Sequence, residues 1–363
     1  MTFRARAIVT VDEVDRVLPA LLDHMEEHAT VVRAGGGASI SSPFGSVDIQ
    51  RRPGGLALEA ASGSAEILAM IKVFVAEHVF EFAGPSASIV WSGEGAGDPL
   101  PPHFQKLTVT SAFDVTPRMR RVTFACERAA AFTGGAGYHV RLLLPPVGGA
   151  PLWPTIAEDG RMVWPSGEDA LAVRVYTIRS VDVQRGEVAI DFVRHDHAGP
   201  ASAWAAGAKP GDVIGLLGPS SGLAPSADRY LLAGDETALP VIARTLGALP
   251  ERARGAAFIE VQNPDEIQQI EHRTGIELFW LFRNDAAPGA STLLRDALAA
   301  LPAPAADESH FTFVACEFAA SQAIRAHLRE VWRLPKGRFS VASYWRRGQS
   351  DDGSSGLSDD DDV

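Results

Sequence analysis

The stretch AVRVYTIRSVDV, residues 172–183, decides how the chain is read. Apolar and polar residues alternate along it, the period-two signature of a β-strand. A strand that only filled a core would not carry Arg174, Tyr176, Thr177 and Arg179. Successive side chains of a strand point to opposite faces, so Arg174 and Tyr176 share one face. A phenol ring offers a flat surface for stacking, and a guanidinium fork suits a phosphate. Together they describe a strand bearing a planar, phosphorylated cofactor. Thr177 falls on the other face of a regular strand, so the ring must lie across the strand end or the strand must bend. Solvent-facing arginines on an edge strand would give the same four residues, and these alone do not separate the two readings.

A second stretch bears on the choice. DFVRHDHAGPASAW, residues 191–204, reads as a strand, a turn and a helix start. Pro200 suits the first helical turn, where its missing N–H costs nothing. The free N–H groups of Ala201 and Ser202, with the Ser202 hydroxyl, form an anion site at a helix N-terminus. A pyrophosphate held between that helix end and Arg174 would set an attached ring near Tyr176. Taken alone, Gly-Pro-Ala-Ser is an ordinary helix cap.

A third stretch, YLLAGDETALPVIARTL at 230–246, runs from an apolar strand through GDETALP into a helix. A dinucleotide's phosphates meet a first βα turn at this position. The G-x-G-x-x-G pattern is absent, and Asp235 and Glu236 would repel phosphate. Glu260 stands 26 residues after Gly234, where an acid often takes ribose hydroxyls. Arg283 is the nearby candidate for a 2′-phosphate.

Working outward, residues 104–226 are mostly short strands with turns such as PGD, which suggests a small antiparallel barrel interrupted by one short helix, ASAWAAGAK. Trp153 and Trp164 read as core residues near it. From 227 to 349 strands and helices alternate, which argues for a parallel sheet covered on both faces. Residues 1–92 read as a small α+β domain, with helical spacing over VDEVDRVLPALLDHMEEH despite Pro19 and a second helix that Ser64 could cap. Residues 93–103 are a Gly/Pro-rich linker, and 350–363 an acidic, low-complexity tail that should be disordered. The fold class expected is multidomain α/β plus β.

Composition narrows the function. An apolar content of 46% over 363 residues suits globular domains, and a net charge of −12 disfavours non-specific binding to nucleic acid or anionic membrane. Cys126 and Cys316 are far apart and give no disulfide framework. No apolar run is long enough to span a bilayer, and the N-terminus lacks a signal-peptide core, so a reduced, cytoplasmic protein without stable membrane insertion is expected.

RVYTIR, HDHAGPASAW, GDETALP and SYWRRG (343–348), in this order, resemble the siderophore-interacting proteins, flavin-dependent ferric-siderophore reductases of the ferredoxin–NADP reductase superfamily. The resemblance covers about 104–349. Residues 1–92 separately resemble a domain of unknown function sometimes fused to such reductases. The resemblance implies an FAD-binding barrel followed by an NAD(P)H-binding domain, with FAD in the cleft between them. It puts FAD contacts at Arg174, Val175, Tyr176, Thr177, His195, Ala198, Gly199, Pro200, Ala201 and Ser202. Arg174 would hold the pyrophosphate, Tyr176 stack on the isoalloxazine and Thr177 approach N5. Gly234, Asp235, Glu236 and Thr237, with Thr237 nearest the ring, would form the nicotinamide side together with Glu260 and Cys316, while Tyr344 and Trp345 would lie near the flavin. Thr177 and Thr237 are the catalytic candidates. Where the family usually has Gly, this chain has Asp196, Ser343 and Cys316.

The implied activity passes electrons from NADPH or NADH to a ferric siderophore, releasing Fe(II). A ferredoxin is left open as an alternative electron donor. Outer-sphere transfer needs no iron ligands on the protein, so no metal site is expected. Arg179, Arg346 and Arg347 are candidates for docking an anionic siderophore, with Lys336 and Arg338 behind them. Solvated surface arginines are an equal reading. His24 and His28, four apart, could share a helix face with Glu77–His78 approaching from the second helix, but surface or packing histidines are the favoured reading. A general flavin reductase or diaphorase, and a flavin-free siderophore escort, are the rival functions.

Overall fold

The computed structural model describes every residue except 96–98, 134–136, 147, 149, 196–198, 220–224 and 350–363, so the calls on Asp196, Ala198, part of the linker and the acidic tail lie outside the described residues. The chain divides into two compact units, Met1–Phe104 with Leu152–Ala170, and Gln105–Pro151 with Leu171–Val363.

The first unit begins with β1 (Phe3–Thr10), α1 (Val14–Met25), β2 (Thr30–Ala34), β3 (Gly37–Ser42), β4 (Gly45–Arg52), β5 (Gly55–Ser62), α2 (Ala65–Ala83) and β6 (Ser88–Gly93). Its strands form one antiparallel sheet ordered β2-β3-β4-β5-β1-β6. Alternation along β1 turns Ala5, Ala7 and Val9 inward, against Leu18, Leu21 and Leu22 of α1 and Leu68, Val75 and Val79 of α2. Lys72 is buried on α2 because its Nζ donates to the Gly95 carbonyl at 2.5 Å and lies 5.4 Å from the Trp91 ring centroid. Ser64 stands at the N-cap of α2 but makes no capping hydrogen bond with its side chain.

The barrel strands are β7 (Phe104–Thr116), β8 (Met119–Ala125) and β9 (His139–Leu144), followed by an excursion. That excursion, 152–170, carries the two-residue strands β10 (Thr155–Ile156) and β11 (Met162–Val163) and belongs to the first unit. There Trp91 Nε1 donates to the Asp159 carbonyl at 3.1 Å, Glu77 Oε1 accepts the Met162 N–H at 2.9 Å, and the Arg161 guanidinium lies 3.7 Å over the Phe80 ring. Trp153 sits with its ring 5.7 Å from that of Phe104. Trp164, expected in a core, is 40% exposed because the hairpin is too short to cover its outer face.

The second unit continues with β12 (Ala172–Asp182), β13 (Glu187–Val193), α3 (Pro200–Gly207) and β14 (Val213–Leu217). Six strands close into a barrel, β12-β13-β8-β7-β14-β9, as the alternating segments imply. Its core alternates along each strand: Val122 and Phe124, Val140, Leu142 and Leu144, Val188, Ile190 and Phe192. The pairing of β12 with β13 shifts between Ile178 and Ser180. Such a bulge re-aims side chains. The shift lies just past Thr177 and Ile178, which are both buried, while Tyr176 and Arg179 stay partly open.

The remainder is β15 (Arg229–Gly234), α4 (Leu239–Ala248), β16 (Arg254–Val261), β17 (Gly275–Phe282), α5 (Leu293–Ala299), β18 (His310–Glu317), α6 (Phe318–Ala326) and β19 (Phe339–Trp345). The five strands are parallel and ordered β17-β16-β15-β18-β19. Period two divides them between two cores. Leu232 and Ile259 pack under Leu239, Ile242 and Leu246 of α4, whereas Ala233, Phe258 and Val314 face Leu294 and Leu298 of α5 and Ile324 of α6. The strand order reverses between β15 and β18, and ligands of such sheets bind beyond the strand ends at that reversal.

Candidate active site

On the barrel, Arg174 and Tyr176 lie in register with Leu142 and Val140, and Val175 and Thr177 with Arg141 and His139. The Tyr176 ring rests 4.6 Å from that of Phe192, which in turn lies 5.9 Å from Trp204 of α3. One edge of Tyr176 is thereby anchored in the core while the residue stays partly exposed. Burial and the loss of water raise its phenol pKa, so it is a neutral ring. The Arg174 guanidinium bonds only its neighbouring carbonyl, Val173 O, at 2.7 Å, and no carboxylate among the described residues pairs with it. Pro200 opens α3, and Gly199 is its N-cap with no side-chain capping bond. A Cβ built on Gly199 meets no described atom within 4 Å. Ala201 and Ser202 are buried in that first turn, where N–H groups have no intrahelical partner. His195 lies exposed, two residues past β13.

The α/β side meets the barrel through β19. Tyr344 places its hydroxyl 2.6 Å from His139 Nε2, on the strand position paired with Thr177. Burial, with the nearby Arg244 charge, lowers the His139 pKa to about 4, so the imidazole is neutral near pH 7. The next residue, Trp345, donates its Nε1–H to Asp235 Oδ2 at 2.8 Å. Asp235 also accepts from the Thr237 N–H at 2.9 Å, the Thr237 hydroxyl at 2.5 Å and the Glu317 N–H at 3.2 Å. Strand pairing and a hydrogen bond thus link Thr177 through His139 to Tyr344, and its chain neighbour Trp345 is hydrogen-bonded through Asp235 to Thr237.

Asp235 sits at the strand reversal, tying the end of β15 to the ends of β18 and β19. Gly234 before it is fixed by packing: a Cβ there would come within 2.4 Å of Ala238 Cβ and 2.5 Å of the Ala315 carbonyl. The sequence suggests that Asp235 and Glu236 would repel phosphate, but the structure offsets one of the two charges with an arginine. Glu236 is held in a two-point ion pair by Arg283, NH1 to Oε2 at 2.8 Å and NH2 to Oε1 at 2.5 Å. Burial, and then the Glu236 charge, raise the Asp235 pKa. Arg283 is consequently buried and occupied, not offered to a 2′-phosphate.

Glu260, at the end of β16, is also buried. Burial first, and the Asp235 charge second, raise its pKa to about 7. The folded protein therefore binds a proton there that the unfolded chain, titrating near 4.5, has released. The resulting stability is present below pH 4.5 and is lost as pH rises toward 7. Melting temperatures taken from pH 4.5 to 7.5 should fall less for Glu260→Gln than for the parent; parallel curves would refute the shift. Cys316 is buried beside this group, and burial pushes its thiol up, so it is an inert packing residue. Ser343 bonds Ser321 Oγ at 2.6 Å, fastening β19 to α6.

The docking candidates separate. Arg346 and Arg347 are exposed just past β19, Arg346 3.5 Å over the Phe318 ring and Arg347 with its N–H bonded to Glu317 Oε1 at 3.1 Å. Arg338 donates to the Glu308 carbonyl at 2.6 Å, and Lys336 is exposed. Arg179 is apart from them: its Nε lies 3.6 Å from Asp191, whose carboxylate already takes two bonds from Arg121 at 2.6 and 2.8 Å.

Profile matches agree with this arrangement: a Siderophore-interacting FAD-binding domain over residues 108–223, and Siderophore-interacting protein over 227–348. Ferric vibriobactin reductase ViuB of Vibrio cholerae is 32% identical over 243 residues, covering 66% of this chain and 88% of that protein. The chain belongs to the siderophore-interacting protein family.

Other siderophore-interacting proteins and relatives fit the same span. The crystal structure of a siderophore utilization protein from T. fusca aligns with 37% identity and a TM-score of 0.61 over 68% of this chain and 94% of that one. The NADPH-dependent ferric-chelate reductase of Escherichia coli is 29% identical over 67% of this chain and 92% of that protein. Residues 6–92 match an uncharacterized bacterial domain, DUF2218. In this siderophore-interacting protein the groups on the barrel suit FAD: an aromatic surface, a guanidinium that no carboxylate among the described residues pairs with, and the N–H groups of a helix N-terminus. His139, Asp191 and Glu317 are parts of the site that the sequence reading missed. His139 carried only the signal of a polar residue opening an apolar strand.

Proposed function

We propose that the chain is an FAD-dependent reductase that takes electrons from NADPH or NADH, passes them to a ferric siderophore and so releases Fe(II) in the cytoplasm. The run of contacts from Thr177 to Thr237 carries this reading, because it brings the cofactor strand of the barrel against the strand-end crevice of the parallel sheet. Tyr176 would stack on the flavin, Arg174 and the α3 N-terminus would hold its diphosphate, and Thr177 would approach its N5. Thr237, its hydroxyl fixed by Asp235, would orient the nicotinamide. FAD supplies the exchange between a two-electron hydride and the single electrons that Fe(III) accepts. Fe(III) is hard and is gripped by oxygen ligands far better than Fe(II), so reduction loosens the chelate without any iron ligand from the protein. Arg346 and Arg347 give an acidic chain a local cationic surface for an anionic chelate.

Among the described residues no helix is long and apolar enough to cross a membrane. The test is anaerobic rapid mixing. NADPH or NADH should bleach the bound flavin, and ferric siderophores should restore its colour as a ferrous-specific chelator develops absorbance. Faster turnover of free flavin or dyes than of any ferric chelate would make the protein a general flavin reductase. A colourless protein that neither binds FAD nor oxidises a nicotinamide would make it an escort.

A further inference from the structure

Three histidines that the sequence reading treats as packing or surface residues converge in the first unit. His24 is in the last turn of α1, His28 follows one turn later, and His78 comes from α2. Their candidate ligand atoms all lie within 4.8 Å of one another, the group of this kind found among the described residues. His24 and His78 stack with ring centroids 5.1 Å apart, and His28 stands edge-on to both, at 4.8 and 5.8 Å. Glu77 is not part of the group, since its carboxylate accepts the Met162 N–H.

The hydrogen bonds fix which ring atoms are free. His78 Nδ1 is 2.7 Å from the Phe74 carbonyl, which can only accept, so Nδ1 carries the proton and Nε2 keeps its lone pair. Metal-binding histidines are commonly oriented in this way by their other ring nitrogen. His24 Nδ1 faces Glu27 Oε2 at 3.7 Å, which turns its Nε2 toward the group. His24 Nε2 and His28 Nε2 are hydrogen-bonded at 3.2 Å, so a metal ion would take the place of the proton between them. Two nitrogens each about 2.0–2.1 Å from a tetrahedral zinc ion are separated by roughly 3.3–3.4 Å. The pair is therefore already spaced as two ligands, and a ligand atom of His78 lies within 4.8 Å of both. His28 is exposed and the other two are partly so, which leaves an entry path.

We propose that His24, His28 and His78 bind a borderline divalent transition-metal ion of the zinc(II) class through their Nε2 atoms, with a fourth position open to solvent. Three imidazoles select such ions over magnesium or calcium, which take oxygen ligands. A three-histidine set with one free position also leaves room for an exogenous ligand.

Titration calorimetry of the metal-stripped full chain should give one Zn2+ per chain with no response to Mg2+, and Co2+ should produce the visible absorption of a tetrahedral centre. His78→Ala and His28→Ala should each weaken Zn2+ at least tenfold, while flavin content stays that of the parent. His28 is exposed, so its substitution keeps the test sound if His78→Ala fails to fold. Absence of Zn2+ binding at micromolar concentration, or variants that bind as the parent does, would overturn the site.

Discussion

Glu236→Ala is expected to destabilise the second unit by about 3–5 kcal/mol, the usual cost of stranding a buried charge by removing its partner. The Arg283 side chain is 1% exposed, and its Nε already has no hydrogen-bond partner among the described residues. Its positive charge is satisfied by the two Glu236 oxygens. Without them the guanidinium must either remain unpaired in the core or draw water into the end of the parallel sheet. Replacing both residues by apolar side chains of similar volume should cost far less, because that removes the charge as well as its partner. Chemical denaturation of the two variants beside the parent decides it. A loss below 1 kcal/mol for Glu236→Ala would mean that the pair is open to solvent.

The second large effect concerns the flavin itself. Tyr176→Ala should weaken FAD binding by about 10–100-fold, since stacking of a heteroaromatic ring on an aromatic side chain contributes about 1–3 kcal/mol. Tyr176→Phe should stay near the parent, because the hydroxyl is not what the ring system meets. The support behind Tyr176 matters as well: Phe192 is fully buried and its ring packs against that of Tyr176 at a tilt, centroids 4.6 Å apart, so the tyrosine is held by the barrel core. Fluorescence titration of the FAD-free protein measures both variants. A Tyr176→Ala protein as yellow and as tight as the parent would show that the ring binds elsewhere.

The elements of the second unit were largely legible from sequence, for physical reasons. Each barrel strand alternates over enough residues to show period two, and α4 and α6 of the α/β half closely follow apolar strands. Strand periodicity singles out Arg174 and Tyr176, whereas Gly199 and Thr237 are named as site residues only through the family resemblance. What stayed hidden depends on distant partners. His139 and Tyr344 are 205 residues apart, and neither hints at the other. Arg179 looked like a free charge until its neighbouring strand placed Asp191 and Arg121 beside it. Asp235 looked repulsive to phosphate because sequence counts its charge and does not reveal its four donors. The hairpin of β10 and β11 has two-residue strands, too short to carry any period, so nothing local said which unit it would join.

That hairpin sets the order in which the protein can be made. The polypeptide passes from the first unit to the second at Phe104, returns at Leu152 and leaves again after Ala170. On the ribosome, the earlier unit waits for its last piece until β7, β8 and β9 have been synthesised, while half the barrel is still to come. A fragment ending at residue 92 would emerge without the backbone that receives the Trp91 indole and the Glu77 carboxylate. Nascent-chain proteolysis should therefore find this amino-terminal portion protected only once translation has passed residue 170.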